Sequence, residues 1–156
     1  MMLELVEAQS QENILDVKEL FREYAASLDF NLSFQDFEKE LAGLPGDYAP
    51  PGGTIMLAFL DGSVAGCVAL RRIDGETCEM KRLYVRPEYR QRGIGRRLAE
   101  AVIEHARGLD YRSMRLDTIP SMEHANSLYR SLGFKEIEPY RYNPLEGALY
   151  MELRLK

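Results

Sequence analysis

The stretch "RPEYRQRGIGRRL", residues 86 to 98, places two glycines and five arginines where the hydrophobic period of the sequence changes. Before it, "TCEMKRLYV" (77–85) reads as a strand. After it, "GIGRRLAEAVIEHARGL" (93–109) carries Ile94, Leu98, Ala101, Val102, His105 and Leu109 at helical spacing. The stretch is therefore a strand-to-helix turn. A helix N-terminus offers unpaired backbone N–H groups and the positive end of the helix dipole, which together attract anions. Gly93 and Gly95 fall at or just before the first helical turn, where the missing β-carbons let a phosphate reach successive amides. The arginines supply counter-charge for further phosphates.

Two familiar phosphate motifs fail on spacing. A dinucleotide fingerprint needs a third glycine three residues after Gly95, and Leu98 stands there. A phosphate-loop NTPase needs Gly-Lys-Ser/Thr, and this chain has Gly95-Arg96-Arg97. A helix start that uses glycine for packing and carries solvated arginines is the remaining alternative from the turn alone.

The charge distribution narrows the ligand. Of the 20 basic residues, seven lie between Lys81 and Arg97 beside a single acid, Glu88, while 13 basic and 24 acidic residues make up the rest. A cationic patch on an anionic chain (net −5) suits a polyanion of limited size and disfavours nucleic acid. With 156 residues and 46% apolar content, one domain spanning 1–156 is expected. No apolar run is long enough to span a bilayer, and the N-terminus has no secretion pattern, so a cytoplasmic protein without a membrane partner is expected. Cys67 and Cys78 are too few for a disulfide framework, and neither has metal-ligand neighbours, so they read as reduced packing residues and no metal is expected.

Outward from the turn, "LELVEA" (3–8) alternates as a strand and "ENILDVKELFREYAASL" (12–28) is an amphipathic helix with Ile14, Leu15, Val17, Leu20, Phe21, Tyr24, Ala25 and Leu28. Ser33 and Asp36 make a capping pattern for a second helix in "FQDFEKELAGL", which "PGDYAPPGG" (45–53) ends. "TIMLAFL", "SVAGCVALRRI" and "TCEMKRLYV" follow, separated by Asp61-Gly62 and Asp74-Gly75, pairs that favour tight hairpins. After the third helix, "SMRLDTI" returns to strand, and a strand-helix-strand unit favours a parallel join. "SMEHANSLYRSLGF" puts Ala125, Leu128, Tyr129 and Leu132 on one helical face, with Gly133 suited to its C-cap. "FKEIE" and "ALYMELRL" close the chain as strands. The fold class is α/β (α+β): a mixed, mostly antiparallel sheet of about seven strands with about four helices.

Arg90-x-x-Gly93-x-Gly95 directly follows "KRLYV", and about thirty residues later comes "ANSLYRSLGF". Over roughly residues 54 to 155, this order resembles the GNAT superfamily of N-acetyltransferases. The resemblance implies a GNAT-like domain whose sheet splays between strands 4 and 5, with acetyl-CoA as co-substrate in the gap. It implies that Arg90, Gln91, Arg92, Gly93, Ile94, Gly95 and Arg96 hold the pyrophosphate, and that backbone groups of Leu83, Tyr84 and Val85 pair with the pantetheine arm as an added strand would. Nothing in "CEMKRLYV" locates the bulge that commonly produces the splay.

By the same resemblance, Asn126 contacts the pantetheine region and Tyr129 protonates the departing thiolate; a buried tyrosine on an apolar helix face is the alternative for position 129. The acceptor amine must lose a proton before attack. Glu79 on the fourth strand matches a base found in some members, with an ordinary paired strand carboxylate as the alternative, and Asp117 in "RLDT" or water as other candidates. His105 and His124 are weaker candidates. The implied activity is acyl transfer, by default of acetyl, to a primary amine of a small molecule or peptide by direct attack in a ternary complex. No His stands beside Cys78 to activate a ping-pong route. A CoA-binding sensor or interaction module without turnover is the alternative, since fold does not fix function. Homodimers are common in the superfamily. The expected acceptor-shaping stretches carry Phe30, Phe34, Tyr48, Tyr140 and Tyr142 with Asp29, Asp36, Asp47 and Glu146, a set that would suit a small cationic amine.

Overall fold

Asp61 and Gly62 both adopt positive φ (50° and 85°), the two-residue turn that reverses the chain between β2 (Thr54–Leu60) and β3 (Ser63–Arg72). A computed structural model describes residues 2–28, 32 and 36–156 of the chain. The Asp74-Gly75 pair does not make the same tight turn. Asp74 instead accepts backbone bonds from Glu76 and Thr77, both at 2.9 Å, and organises a wider loop before β4 (Thr77–Val85).

Seven strands form one sheet in the order β1-β2-β3-β4-β5-β7-β6, where β1 is Leu3–Glu7, β5 Ser113–Thr118, β6 Lys135–Ile137 and β7 Leu149–Arg154. Every neighbouring pair is antiparallel except β4 and β5. The helix α3 (Ile94–Gly108) makes that parallel join, as the strand-helix-strand pattern requires.

Helices cover both faces. The helix α1 (Gln11–Ser27) opens with a capping box in which Ser10 Oγ accepts from Asn13 N at 3.0 Å. It buries Val17, Leu20 and Phe21, while Leu15, on the expected apolar face, is 65% exposed. The helix α2 (Phe37–Ala42) buries Phe37 and Leu41 beside it; its N-cap is Asp36 at φ 54° with no side-chain cap bond, and Ser33 lies outside the described residues. On the opposite face, α3 buries Leu98, Ala99, Val102 and Ala106 completely. The helix α4 (Glu123–Ser131) follows β5, and Gly133 at φ 104° turns the chain after it. Leu98→Ala would remove about 2–5 kcal/mol from this core. No helix among the described residues is long and apolar enough to cross a membrane.

Candidate active site

The parallel ladder between β4 and β5 is three residues long, Thr77↔Ser113, Cys78↔Met114 and Glu79↔Arg115. Beyond Glu79 the strands part: β5 stays with β7 as far as Thr118↔Leu149, and β4 stays with β3 as far as Gly66↔Val85. Arg82 marks the bend. Its φ of 59° is left-handed, and the β3–β4 register shifts between Cys67 and Ala69 beside it. Gly66 permits the resulting close approach, because a β-carbon there would lie 2.5 Å from the Tyr84 carbonyl oxygen.

The parting leaves a cleft in two adjoining parts. Its outer part, about 560 Å³, is lined by Tyr84, Val85, Arg90, Gln91, Gly93 and Gly95 with the start of α4. Its narrow inner part lies among Lys81, Asp117, Thr118, Tyr129 and Asn143. Tyr24, Leu83 and Met122 border both parts.

The glycine turn is built for an anion. Gln91 and Gly93 both hold positive φ (65° and 76°), and Gly93 is the N-cap of α3. Such alternation curls backbone N–H groups into a concave nest. The first backbone bond of the helix runs from Arg97 N to Gly93 O (3.1 Å), so the N–H groups of Ile94, Gly95 and Arg96 precede the intrahelical ladder. No acidic residue stands in that first turn. A β-carbon on Gly95 would meet protein only at 3.8 and 3.9 Å, ordinary contact distances, so packing does not require glycine there. The space beside it is room for a ligand. A phosphate-bearing donor fits this cradle.

The cationic patch is smaller than the charge count implies. Arg86 donates to Glu23, Glu19 and the Val64 carbonyl, and Arg82 makes a two-pronged pair with Glu40 at 2.9 and 3.0 Å. The Arg82 guanidinium also lies over the rings of Phe37 (5.4 Å) and Tyr24 (5.9 Å), which fastens both helices of that face to the bend in β4. Arg90 donates to Val85 O at 2.9 Å, and Arg96 to Ser131 Oγ. Arg90, Arg92, Arg96 and Arg97 remain exposed around the turn.

Glu79 sits at the vertex of the splay and is fully buried. Its Oε1 accepts from Arg71 Nε at 2.8 Å; its Oε2 accepts from the Tyr140 hydroxyl at 2.6 Å and from Arg141. Burial alone would raise its pKa. Lys81, Arg141, Arg71 and the Tyr140 hydrogen bond outweigh that and hold the carboxyl below the usual range. Of the two readings open in the sequence, the paired strand carboxylate matches this geometry: both oxygens are committed and neither lines the cleft.

Asp117, across the gap on β5, does line the inner cleft and accepts from Asn143 Nδ2 at 3.2 Å. Tyr129 faces the same space from α4; burial raises its phenol pKa, with the Tyr24 phenol and Asp117 adding to the rise. Asn126 lies beneath, its amide donating to Ile119 O at 2.9 Å and accepting from Thr118 Oγ1 at 2.8 Å. It ties the end of β5 to α4 and lines neither part of the cleft. His124 borders the outer cleft, and His105 lies 3.9 Å from Glu7, away from it.

Lys81 lies beside Asp117 and is 9% exposed. Desolvation lowers its pKa to about 8, while Glu79 and Asp117 oppose that fall. Sequence reasoning passed over it, as it did Tyr24, Thr118 and Asn143. The expected acceptor aromatics do not reach the cleft: Tyr48 is in the core, Tyr140 is held by Glu79, and Tyr142 is 80% exposed. Asp36 and Asp47 line a separate depression with Arg71, Glu146 is exposed, and Asp29, Phe30 and Phe34 lie outside the described residues. The thiols are not activated. Cys67 Sγ is near Arg82 O and Cys78 Sγ near Ser113 O, and burial pushes the Cys78 thiol up to about 12.

The model of the Acetyltransferase (GNAT) family matches residues 14–134, a span that contains the splay, the glycine turn and α4. The chain belongs to the GNAT family. An uncharacterized N-acetyltransferase of Schizosaccharomyces pombe is 40% identical over 146 residues, 92% of this chain and 90% of that one. The N-acetylaspartate synthetase of Rattus norvegicus is 37% identical over 99 residues, 63% of this chain and 33% of that protein. Among solved structures, an acetyltransferase of Salmonella typhimurium with its cofactor acetyl-CoA superposes with a TM-score of 0.77 at 20% identity, covering 99% of this chain and 94% of that one. As a GNAT protein the chain is an N-acetyltransferase with a GNAT-like domain, and the splay between strands 4 and 5 is present as the resemblance implied.

Proposed function

We propose that the protein transfers acetyl from acetyl-CoA to a primary amine by direct attack in a ternary complex. The observation that carries this reading is the cleft itself, which runs from the nest at Gln91–Gly95 to a narrow end bounded by Tyr129 and Asp117. In this reading the pyrophosphate rests on the turn from Arg90 to Arg96, with Gly93, Ile94 and Gly95 presenting backbone amides and Arg92 adding charge. Backbone groups of Leu83, Tyr84 and Val85 face the pantetheine arm where β4 has left β5. Asn126 acts as a positioning residue through Thr118 and Ile119.

The thioester supplies an electrophilic carbonyl and a leaving thiolate. The amine nitrogen attacks that carbon, the C–S bond breaks, and Tyr129 gives its proton to the sulfur. Asp117, directly or through water, accepts the proton that the incoming ammonium must lose. Glu79 acts as a positioning residue: it holds Arg141 and Tyr140 of the β6–β7 connection over the vertex. The relatives named for N-acetylaspartate support a compact amine acceptor over a long peptide.

The test is thiol release from acetyl-CoA across a panel of primary amines, run beside calorimetry of CoA binding. Amine-dependent release with micromolar CoA binding supports the reading. CoA binding without release on any amine would make the protein a CoA-binding module instead.

A further inference from the structure

Three residues border both parts of the cleft, Tyr24, Leu83 and Met122, and Tyr24 alone of them carries a side-chain hydrogen-bond donor. Tyr24 packs with the core on the α1 face of the sheet and Tyr129 with the core on the α3 face. The two rings share the inner cleft only because β4 and β5 have parted between them. Among the groups that raise the Tyr129 pKa, the Tyr24 phenol comes directly after burial and ahead of Asp117, so the two phenols approach each other there. The Tyr24 ring is held on two sides: the Arg82 guanidinium lies 5.9 Å from its centroid, and the Tyr84 ring meets it edge-on with centroids 6.2 Å apart. Among the described residues no acceptor takes its hydroxyl proton.

Resting on the acetyl-transfer reading above, we propose that Tyr24 is a second catalytic phenol, which donates a hydrogen bond to the acetyl carbonyl oxygen while Tyr129 serves the sulfur. A pantetheine arm in the outer part and an amine in the inner part bring the thioester to the junction, where Tyr24 stands. When the nitrogen attacks, the N–C bond forms and the carbonyl π pair moves onto oxygen. A donor already held in place there stabilises the new charge without reorganising. When the intermediate collapses, the C=O bond reforms, the C–S bond breaks with its electron pair on sulfur, and Tyr129 gives the sulfur its proton. Tyr24 keeps its own proton throughout. Burial, partly offset by Arg82, holds its pKa above the ordinary phenol value, so the hydroxyl remains a donor at neutral and mildly alkaline pH. The two phenols thus act on different atoms at different steps, which makes them separable by experiment.

The experiment removes the hydroxyl with Tyr24→Phe, which keeps the ring contacts to Arg82 and Tyr84; Tm and CoA affinity report that the fold is intact. In the thiol-release assay, with any amine the enzyme turns over, kcat should fall by about 100-fold while KM for acetyl-CoA and for the amine stay within about threefold. The loss should persist with acyl donors whose leaving thiol is more acidic, because attack still builds charge on the oxygen. Recovery with such donors would put Tyr24 at the sulfur beside Tyr129 and overturn the assignment. A rise in acceptor KM with kcat unchanged makes Tyr24 an acceptor contact and overturns it as well, as does a wild-type kcat with ordinary KM values. The second measurement needs no turnover. Isotope-edited infrared spectra of bound acetyl-CoA labelled at the carbonyl carbon should show the carbonyl stretch at lower frequency in the wild type than in Tyr24→Phe, whereas Tyr129→Phe should leave it in place. If no amine is turned over, the transferase reading fails by itself and the infrared shift alone decides. A shift that depends on Tyr24 upholds the contact, and equal stretches in the wild type and Tyr24→Phe overturn it.

Discussion

Glu79 faces Arg115 at the last rung of the β4–β5 ladder, and the strands separate immediately beyond that pair. The carboxylate at the vertex is where the β6–β7 connection is tied down, through Tyr140 and Arg141, and where β3 is tied through Arg71. The cleft therefore begins at a buried charge cluster. Removing the anion would leave two guanidiniums facing each other at the point from which the strands diverge.

Glu79→Gln should destabilise the protein by roughly 2–3 kcal/mol, below the range for a fully buried pair because Arg71 and Arg141 are both about a quarter exposed. That corresponds to a fall in Tm of about 4–10 °C, read by calorimetry. The folded-state pKa of Glu79 is depressed, so its contribution is present above the unfolded pKa and is lost as pH falls through the folded one. The variant should accordingly lose less stability than the wild type between neutral and acid pH. Full thermal stability at pH 7 would show that the cluster does not hold the vertex.

Gly93 and Gly95 separate backbone need from ligand need. Gly93→Ala puts a β-carbon at φ 76° and should cost about 1–2 kcal/mol. Gly95→Ala meets no protein atom closer than 3.8 Å and improves helix propensity, so Tm should hold or rise. CoA affinity should nevertheless fall by about tenfold or more, since the new methyl occupies the space beside the first-turn amides. Unchanged CoA affinity in Gly95→Ala would remove the pyrophosphate from this turn.

How much of this was legible in the sequence depends on the range of the contacts involved. The glycine turn, the α1 and α3 faces, the Asp61-Gly62 hairpin and the parallel join are local or periodic, and each was readable from a short window. The fates of Arg82, Arg86 and Glu79 were not, because each has a partner far along the chain: Glu40 lies 42 residues from Arg82, Glu23 63 from Arg86 and Tyr140 61 from Glu79. Two members of the apparent seven-residue cationic patch, Arg82 and Arg86, are thereby taken up by internal ion pairs. The left-handed Arg82 had no local sign in β4; the nearest hint was Gly66 on the neighbouring strand, where any side chain would strike Tyr84 O. Lys81 offers no base comparable to Glu79 and so did not stand out in the sequence; its place at the inner cleft follows the bend at Arg82 and the departure of β5.

Cys78→Ala should retain at least about half of wild-type kcat. Its thiol is buried, its pKa is pushed up to about 12, and its sulfur is close to Ser113 O and not to a base. The native protein should also resist iodoacetamide at pH 8, with labelling by mass spectrometry appearing only after denaturation. An acetyl adduct on Cys78 during turnover would contradict direct transfer and require a covalent enzyme intermediate.

Tyr129→Phe tests the proposed proton donation from Tyr129 to the thiolate. Burial raises the phenol pKa, so the donor form persists well above neutral pH, and Tyr129 itself should add no alkaline loss of kcat below about pH 9. Removing the hydroxyl should lower kcat by about 100-fold while acetyl-CoA affinity changes by less than about twofold, because the ring's edge contact with Phe134 (5.8 Å) remains. The residual activity should recover with acyl donors whose leaving thiol is more acidic, since a better leaving group depends less on protonation. If Tyr129→Phe kept wild-type kcat on acetyl-CoA, or if the loss were the same for acidic and ordinary thiols, the hydroxyl would be a packing feature of α4 and the thiolate would leave unassisted.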